Sequence, residues 1–335
     1  MPYKIGSFNV RNLSWGAGAS RDLDMITDII KEFDIIALQE VLSEGKILEG
    51  PTLNDVSGQA KAYEYSLRSR LGDNWDMCWL DPKTDSKWYP YIGNDARGEG
   101  YAFIWRKDVF KCPVNEYGRE VRPRIYRQYR TDSSRGEIRL IRDPGYGRFQ
   151  LVNMHNAEIR LITTHIVYKK PNEDNLSKVV DHGAAVMRQK EFEVLARNIY
   201  TRISEDHNDI NCNVPYTIIL GDYNLNLMRS GAGAPYVPNM IVLDAQGNIL
   251  PIFEIAEKGH FRIYTDQKDL STVNKDADNY ASNYDHFTFD DHTRDSIVTG
   301  EPHRLNSVEK AGGHKTYKEK VSDHIPVMLE IDLKK

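Results

Sequence analysis

Asp222 and Asn224 follow a short apolar run and carry side chains suited to hydrolytic chemistry. Residues 217–220 are β-prone, and Gly221 stops the run abruptly, a pattern that predicts a buried strand ending in a turn. Residues two apart in an extended chain share a face, so the carboxylate and the amide would point into one cleft. Such a pair suits a phosphate and an attacking water, because the carboxylate accepts hydrogen bonds and the amide both donates and accepts them. An Asx turn that caps the strand is the structural alternative.

Polar residues also stand at the ends of the other predicted strands. Strand patterns cover residues 4–10, 34–38, 77–80, 101–105, 149–153, 158–168, 217–220, 284–289 and 325–333. Loops at one edge of a rigid sheet are where functional sites gather. The polar residues that would meet at such an edge are Asn9, Glu40, Glu99, His165, Asp222, Asn224, Asp323 and His324.

Helical patterns separate these strands and determine the predicted fold class. Apolar residues recur at helical spacing within 20–33, 58–71 and 181–203. Residues 228–280 are hard to interpret, and residues 290–316 have the composition of a polar loop. Many strands with a few intervening helices predict a layered α/β sandwich.

Length and composition describe a chain that can bury a large core. The 335 residues are 40% hydrophobic and 28% charged, with a mean hydropathy of -0.58. No apolar run is long enough to cross a bilayer, and no apolar signal segment precedes the first strand, so we expect no membrane insertion. Cys78, Cys112 and Cys212 are odd in number and match no metal spacing, which favours reduced thiols and a cytoplasmic location.

An arginine-rich segment, residues 119–148, departs from the net charge of -5. It contains nine arginines and four acids, so it carries +5 and the remainder of the chain carries -10. Tyr126, Tyr129 and Tyr146 lie among the arginines, and arginine interleaved with aromatic residues suits a polyanion with stacked bases. The structural alternative is a solvated hairpin whose arginines pair with acids elsewhere in the chain.

Seven short motifs follow one another along the chain between residues 5 and 331. They are Ser7-Phe8-Asn9, Leu38-Gln39-Glu40-Val41, Glu99-Gly100-Tyr101, Thr164-His165, Gly221-Asp222-Tyr223-Asn224, Tyr284-Asp285-His286 and Ser322-Asp323-His324-Ile325-Pro326. Each motif is weak alone, but their ordered conjunction resembles the endonuclease/exonuclease/phosphatase superfamily, and most closely the branch similar to deoxyribonuclease I. The resemblance implies a four-layered αββα sandwich formed by one domain over residues 1–335, with insertions near 107–147 and 228–280.

The resemblance also implies a hydrolase that cleaves phosphate esters with a divalent metal, usually Mg²⁺, with Mn²⁺ or Ca²⁺ as alternatives. By the matching motifs, Glu40 would be the principal metal carboxylate, with Asn9 beside it and Asp323 helping to hold a metal. Asp222 would orient and activate the attacking water, and Asn224 would hydrogen-bond the phosphate.

Two histidines take paired roles in the same family pattern. His324, with Asp285, would act as an acid–base or phosphate-stabilising group. His165, with Glu99, would be its counterpart on the leaving-group side. Arg148 would contact the phosphate, which is a looser match than the others.

The chemistry of these residue types agrees with that assignment independently. Mg²⁺ prefers oxygen ligands and is often held by one or two carboxylates plus substrate phosphate, which Glu40 and Asp323 satisfy. Each histidine needs a carboxylate to fix its tautomer and stabilise its charged form, and the sequence offers two such pairs. The structural alternative is two histidines packed in the core with incidental acids nearby.

The remaining histidines match no motif with a chemical role. We expect them to be surface or packing residues, including His286, which follows Asp285 directly. They are His155, His182, His207, His260, His286, His292, His303 and His314.

The substrate class follows less directly from the sequence. The resemblance at His165 favours the deoxyribonuclease, deadenylase and sphingomyelinase side over typical abasic-site endonucleases, and the missing secretion signal disfavours secreted members. Together with the arginine-rich segment, this predicts a nuclease that hydrolyses nucleic acid by in-line attack of an activated water, with DNA ahead of RNA. The alternatives are a phosphatase or phosphodiesterase acting on a small-molecule or lipid head-group phosphate ester, and a catalytically silent nucleic-acid-binding module on the same fold. The sequence makes no prediction of oligomeric state.

Overall fold

Two β-sheets pack face to face, and helices cover their outer faces. The computed structural model describes residues 2–14, 21–42, 46–49, 66–82, 99–128, 131–132, 136–137, 140–154, 157–167, 188, 191–205, 214–225, 242–243, 249–250 and 269–333. The first sheet contains, in spatial order, β15 (His303–Arg304), β16 (Val327–Ile331), β1 (Tyr3–Leu13), β2 (Ile35–Val41), β4 (Gly100–Arg106) and β3 (Trp75–Leu80).

The second sheet also has six strands. Its strands, in spatial order, are β14 (Asp285–Thr288), β11 (Val214–Asp222), β10 (Ala157–His165), β9 (Gly145–Leu151) and β5 (Phe110–Lys111), with β6 (Arg124–Ile125) also paired to β9. Two short ribbons complete the described strands: β7 (Thr131–Asp132) with β8 (Gly136–Glu137), and β12 (Val242–Leu243) with β13 (Ile249–Leu250).

The described helices are mostly short. They are α1 (Leu23–Ile30), α2 (Lys46–Glu49), α3 (Leu67–Leu71), a π-helical segment (Leu195–Tyr200) that continues into α4 (Thr201–Ser204), α5 (Asp291–Ile297), α6 (Ser307–Lys310) and α7 (His314–Lys320). In the part of the chain that the structure describes, none of them has the length and apolar character needed to span a membrane.

Alternation along β4 explains why the sheets form a layered core. Tyr101, Phe103 and Trp105 point between the sheets, whereas Ala102 and Ile104 point to the outer face that packs under helices. Successive side chains on a strand point to opposite faces, so a strand buried on both sides is apolar throughout. The apolar sequence of β4 therefore suits a strand that packs against the second sheet on one face and against helices on the other.

Helices occupy the two outer layers. Helix α1, whose amino end is capped by the Asp22 carboxylate, packs its apolar face on the first sheet. The apolar residues Leu195, Ile199 and Ile203 pack on the outer face of the second sheet. The order of layers is helix, sheet, sheet, helix, which confirms the expected αββα sandwich.

The parallel strand pairs bring the polar motifs to one edge. β1 is parallel to β2, and β10 is parallel to β11, so the carboxyl ends of all four strands carry motif residues. Gln39 Nε2 donates to Thr163 Oγ1 at 3.0 Å, which fastens the two sheets together just behind that edge.

Some sequence expectations of secondary structure are wrong. Residues 290–316 contain α5, β15, α6 and the start of α7 instead of a polar loop; each helix is too short to present an apolar periodicity. The predicted helix through residue 33 ends at Ile30, and of the predicted helix 58–71 the structure describes only α3 and Ser66. Most of 181–190 and 228–268 lies outside the described residues, as does Cys212, while Cys78 and Cys112 are free thiols.

Candidate active site

Two strand ends adopt unusual backbone conformations where polar residues cluster. Glu40 has a φ of 61° and Asn224 a φ of 49°, both in the left-handed region that side chains other than glycine rarely adopt. Gly221 has a φ of 148°, and a Cβ on it would lie 2.0 Å from the carbonyl oxygen of Thr164. Strained backbone of this kind collects at functional sites, where it aims particular side chains.

The carboxylate of Asp222 lies at the centre of the cluster. Asn9 Nδ2 donates to Asp222 Oδ2 at 3.0 Å and to Glu40 Oε1 at 2.9 Å, so one amide bridges a carboxylate from each sheet. The backbone N–H of Asn224 donates to Asp222 Oδ1 at 2.9 Å. Asp222 is only 1% exposed, and these contacts hold its side chain in one orientation.

Two imidazoles face the same oxygen of Asp222. The Nε2 atoms of His165 and His324 each lie 3.6 Å from Asp222 Oδ2. On its far side, His324 Nδ1 lies 2.9 Å from Asp285 Oδ2, which also accepts a hydrogen bond from Ser271 Oγ at 2.7 Å. The carboxylate assigns the proton to Nδ1 of His324 and leaves Nε2 to face the cleft.

His165 lies beside a second acidic residue, and a buried arginine contacts its backbone. Its Nδ1 lies 3.5 Å from Glu99 Oε2, and its Nε2 lies 3.8 Å from Glu40 Oε1. Arg142 forms an ion pair with Glu99 and donates to the backbone carbonyl of His165 at 3.3 Å. The structure thus brings both predicted histidine–acid pairs to one edge.

Arg148 does not lie at this site, so its predicted phosphate contact is wrong. Its guanidinium binds Glu158 in a bidentate pair, with both N–O distances 2.7 Å. Arg148 is opposite Arg160 in the β9–β10 pairing, five residues before His165. That offset corresponds to about 16 Å along a strand. Arg142, not Arg148, is the arginine beside the histidine.

The charges around the two histidines shift their pKa values in opposite directions. Burial lowers the pKa of His165 well below its ordinary value, and the charges of Arg142 and His324 add to this. Burial also lowers the pKa of His324, but the carboxylates of Asp285 and Asp222 outweigh it and bring this pKa well above its ordinary value. Burial raises the pKa of Asp222. One imidazole is therefore neutral and the other charged near neutral pH.

Among the residues that the structure describes, two groups of side chains have the composition and spacing to hold a metal ion. One is Glu40, Glu99 and His165, and the other is Asp222, Asp285 and His324; the ligand atoms within each lie within 4.8 Å of one another. Carboxylate oxygens are the ligands that hard divalent cations prefer, so the donor set fits such an ion.

The other predicted metal ligands have different surroundings. Asn9 turns its amide nitrogen to the carboxylates, because its Oδ1 accepts from the backbone N–H of Arg11 at 2.9 Å. Asp323 lines the same cleft as Glu40 and lies 3.5 Å from the guanidinium of Arg11. Their role as metal ligands stays a prediction.

A cleft of about 380 Å³ opens over this cluster, within the range of ligand sites. Asn224 lines it, and its Nδ2 donates to the carbonyl oxygen of Ile166 at 2.8 Å. Residues 272–275, together with Ala281, Ser282 and Tyr284, form one wall of the cleft.

Sequence reasoning missed three residues that support the site. Gln39 was visible as the neighbour of Glu40, but its sheet-bridging bond to Thr163 depends on the packing of two sheets. Arg142 was one of many arginines with no local signal to single it out. Ser271 lies within residues 228–280, whose sequence pattern predicts no clear structure.

The remaining histidines among the described residues contact main-chain oxygens or aromatic rings, or are exposed to solvent. His286 is buried, and its Nε2 lies 2.8 Å from the carbonyl oxygen of Leu225 and 2.9 Å from that of Asn283, so it donates to main-chain acceptors. His292 stacks on Tyr216, His314 packs edge-on against Tyr280, and His303 is exposed. His155, His182, His207 and His260 lie outside the described residues.

Several arginines of the segment 119–148 are paired within the protein. Arg122 contacts Asp76 and Glu120, and Arg127 lies 3.1 Å from Asp143 Oδ2. Arg142 and Arg148 are paired with Glu99 and Glu158, as described above. Tyr126 and Tyr146 are buried against each other. The described part of the segment therefore matches the paired-hairpin alternative more closely than a row of free cations. Tyr129, Arg130, Arg135 and Arg139 lie outside the described residues.

Comparison with known proteins agrees with this fold and cluster. The sequence model of the Endonuclease/Exonuclease/phosphatase family matches residues 6–324. The chain belongs to that family. No curated protein matches the sequence.

Solved structures share the fold at low sequence identity. An endonuclease/exonuclease/phosphatase from Bacteroides vulgatus is 13% identical over 100% of both chains, with a TM-score of 0.55. A family protein from Leptotrichia buccalis is 16% identical over 99% of this chain and 100% of its own, with a TM-score of 0.52. ANGEL2, described as a 2′,3′-cyclic phosphatase and solved with adenosine-2′,3′-vanadate, is 13% identical over 99% of this chain and 95% of its own, with a TM-score of 0.50.

Proposed function

We propose that this protein is a metal-dependent phosphodiester hydrolase, and specifically a nuclease that acts on DNA ahead of RNA. The observation that carries the proposal is the position of Asp222 Oδ2, 3.6 Å from the Nε2 atoms of both His165 and His324. A carboxylate between a neutral and a charged imidazole provides a base and an acid on either side of one small space. Membership of the family supports the reaction class.

A divalent cation fits the acidic side of this space. Glu40 would hold it, with Asp323 and Asn9 assisting, and Mg²⁺ is the ion we favour over Mn²⁺ or Ca²⁺ because the donors are oxygens. When bound, such an ion neutralises charge on the phosphate and lowers the pKa of a bound water.

Asp222 would orient the attacking water and take its proton. In the reaction the water oxygen bonds to phosphorus, its proton passes to the carboxylate, and the ester oxygen leaves opposite the incoming oxygen. Burial raises the pKa of Asp222, which suits a base working near neutral pH. Asn9 and the Asn224 backbone keep the carboxylate aimed.

The two histidines would have different roles in the reaction. His324, charged because Asp285 and Asp222 stand beside it, would stabilise the negative charge that grows on the phosphate. His165 would lie on the leaving-group side, where the negative charge of bound phosphate favours its protonated form and allows it to donate a proton. Asn224 would contact a phosphate oxygen from the wall of the cleft.

A second candidate is a phosphatase or phosphodiesterase for a small-molecule or lipid head-group ester. The internal pairing of Arg122 and Arg127 favours it, since these side chains are less available to a long polyanion. The free thiols of Cys78 and Cys112 support a reducing, cytoplasmic location for either activity.

The test is hydrolysis of a substrate panel by the purified full chain. Single-stranded and duplex DNA, RNA, a phosphoinositide and bis(p-nitrophenyl) phosphate are incubated with Mg²⁺, Mn²⁺ or Ca²⁺, and then with chelator. We expect nucleic acids to be cut, with a steep loss of rate as salt rises. Preference for the phosphoinositide, or turnover insensitive to salt, selects the second candidate.

Asp222→Asn separates an enzyme from a silent binding module. We expect it to lower kcat by orders of magnitude, because it removes the base while keeping the size of the side chain. Asp34→Asn is the control, since Asp34 pairs with Arg106 before β2 begins, at the opposite end of that strand from Glu40. No hydrolysis of any substrate by the unmodified protein would refute the proposal.

A further inference from the structure

One wall of the cleft is a short ribbon that we call the cleft ribbon, residues 271–282. Thr272 forms a bridge to His324, and the backbone N–H of Val273 donates to the carbonyl oxygen of Asp323 at 2.7 Å. The ribbon is therefore attached directly to the chain segment that carries the charged histidine. Its position relative to the reacting groups is fixed by main-chain hydrogen bonds.

The turn of the cleft ribbon carries Lys275 and is held from both sides. Inside the turn, Asn274 Oδ1 accepts from the backbone N–H groups of Asp278 at 3.1 Å and Asn279 at 3.3 Å. From outside, Lys318 Nζ donates to the carbonyl oxygens of Asn274 and Lys275. The backbone of Lys275 is consequently fixed, while its side chain is exposed at the cleft.

Lys275 adds a positive charge to a cleft that three carboxylates line. Glu40, Asp222 and Asp323 line the same cleft, and Lys275 is the one lysine or arginine among the described lining residues. In the described part of the chain it forms no salt bridge. Its Cα lies no more than about 11 Å of extended chain from Thr272, the partner of His324. Lys275 therefore lies on the same wall of the cleft as the residue that bridges to His324.

We infer that Lys275 binds a second phosphate of the substrate, next to the one that is hydrolysed. The inference rests on the proposed function. A single phosphodiester would be met by the ion, the two imidazoles and Asn224, whereas the neighbouring phosphate of a chain would lie farther along the cleft wall, where Lys275 presents an exposed ammonium group. Lys275 thus makes the cleft select substrates with consecutive phosphates over isolated phosphodiesters.

The first measurement is binding, which does not depend on catalysis. Fluorescence anisotropy gives the Kd of a short labelled oligothymidylate in chelator for the unmodified protein, Lys275→Ala, Lys275→Arg and Lys315→Ala. Lys315 is the matched control, because it is exposed on α7 and outside the cleft. Lys275→Ala should raise Kd about tenfold, as for the loss of one charge-assisted hydrogen bond. It should also reduce the slope of log Kd against log salt by about one, and Lys275→Arg should restore both.

The second measurement separates substrates by the number of their phosphates. The ratio of kcat/KM for the oligothymidylate to kcat/KM for bis(p-nitrophenyl) phosphate should fall about tenfold in Lys275→Ala and stay constant in Lys315→Ala. Equal Kd values for the two alanine variants, or an unchanged ratio, would overturn the inference. Absence of hydrolysis by the unmodified protein would instead refute the proposed function, and the binding result would still decide the role of Lys275.

Discussion

The imidazole of His324 meets the carboxylate of Asp285 at 2.9 Å, and this pair turns the other ring nitrogen toward the cleft. Replacing the carboxylate by an amide keeps the size of the side chain but removes its charge. We predict that Asp285→Asn lowers kcat about a hundredfold, as is usual when the partner that orients a functional group is lost. It also lowers the pKa of His324, because Asp285 is the largest influence that raises it.

Proton NMR of the imidazole in chelator follows the pKa of His324. Hydrolysis of bis(p-nitrophenyl) phosphate measures kcat. Asp34→Asn serves as the control for loss of a partly buried carboxylate elsewhere. A variant that lost activity with an unchanged His324 titration would mean that Asp285 acts only through stability.

A second prediction concerns Gly221, which precedes Asp222 at the carboxyl end of β11. Gly221→Ala combines a φ of 148° with a Cβ only 2.0 Å from the Thr164 carbonyl oxygen. We expect a loss of at least about 3 kcal/mol in the free energy of unfolding. Gly118→Ala is the matched control, since its φ is 72° and no atom of the described residues lies within 4 Å of the added Cβ. Urea unfolding measures both, and equal losses would show that conformational strain alone matters.

The main features of the site were predictable because each motif is local. Asp222 ends a strand whose buried pattern is plain in the sequence, and Asn224 follows it two residues later. The strand continues one residue past Gly221, where the sequence pattern predicts its end. The order of such motifs also matched a known family. That these motifs converge depends on the tertiary structure. The parallel pairing of β1 with β2 and of β10 with β11 places the ends of these strands together.

What the sequence could not supply was the pairing of long side chains. Arg142 and Arg148 lie in the same segment with similar neighbours, and only the packed sheets decide which meets Glu99 and which meets Glu158. Helices α5 and α6 were missed for a different reason: they have too few turns for an apolar period to emerge, and their caps are common turn residues.

A third prediction concerns Glu191, which ties together the loop and the strand end around His165. The backbone N–H of Ile141 donates to Glu191 Oε1 at 2.7 Å, and that of Val167 donates to the same carboxyl group. Burial raises the pKa of Glu191 to about 7, so folding favours its protonated form. This stability contribution is complete below the ordinary carboxyl pKa and is lost as pH rises through about 7.

Glu191→Gln should remove that pH dependence, because the amide stays neutral while its oxygen still accepts from Ile141. Relative to the variant, the unmodified protein should lose about 3 kcal/mol between about pH 4.5 and pH 7, which follows from the size of the shift. Urea unfolding in chelator across this range is the measurement. Parallel stability curves would contradict the prediction.

A fourth prediction is that a divalent cation stabilises the fold through Glu40. An ion that binds only the native state at a hundred times its Kd adds about 2.7 kcal/mol to stability. Thermal unfolding should therefore shift upward with Mg²⁺ or Mn²⁺, and chelator should reverse the shift. Glu40→Gln should abolish it, whereas Glu319→Gln, on the exposed side of α7, should keep it. A shift that survives in Glu40→Gln would place the ion elsewhere.

The last prediction compares two arginines that the sequence does not distinguish. Arg142→Gln removes the positive charge beside Glu99 and His165, so kcat should fall about tenfold to a hundredfold. The pKa of His165 should rise, since Arg142 helps to lower it. Arg148→Gln instead breaks a pair with the buried Glu158, which Arg160 still contacts at 2.7 Å, so it should cost about 1 to 3 kcal/mol of stability and little of kcat. Urea unfolding, kcat with bis(p-nitrophenyl) phosphate and NMR titration of His165 separate the two. A larger loss of kcat in Arg148→Gln than in Arg142→Gln would contradict the prediction and would indicate that Arg148 contacts the phosphate.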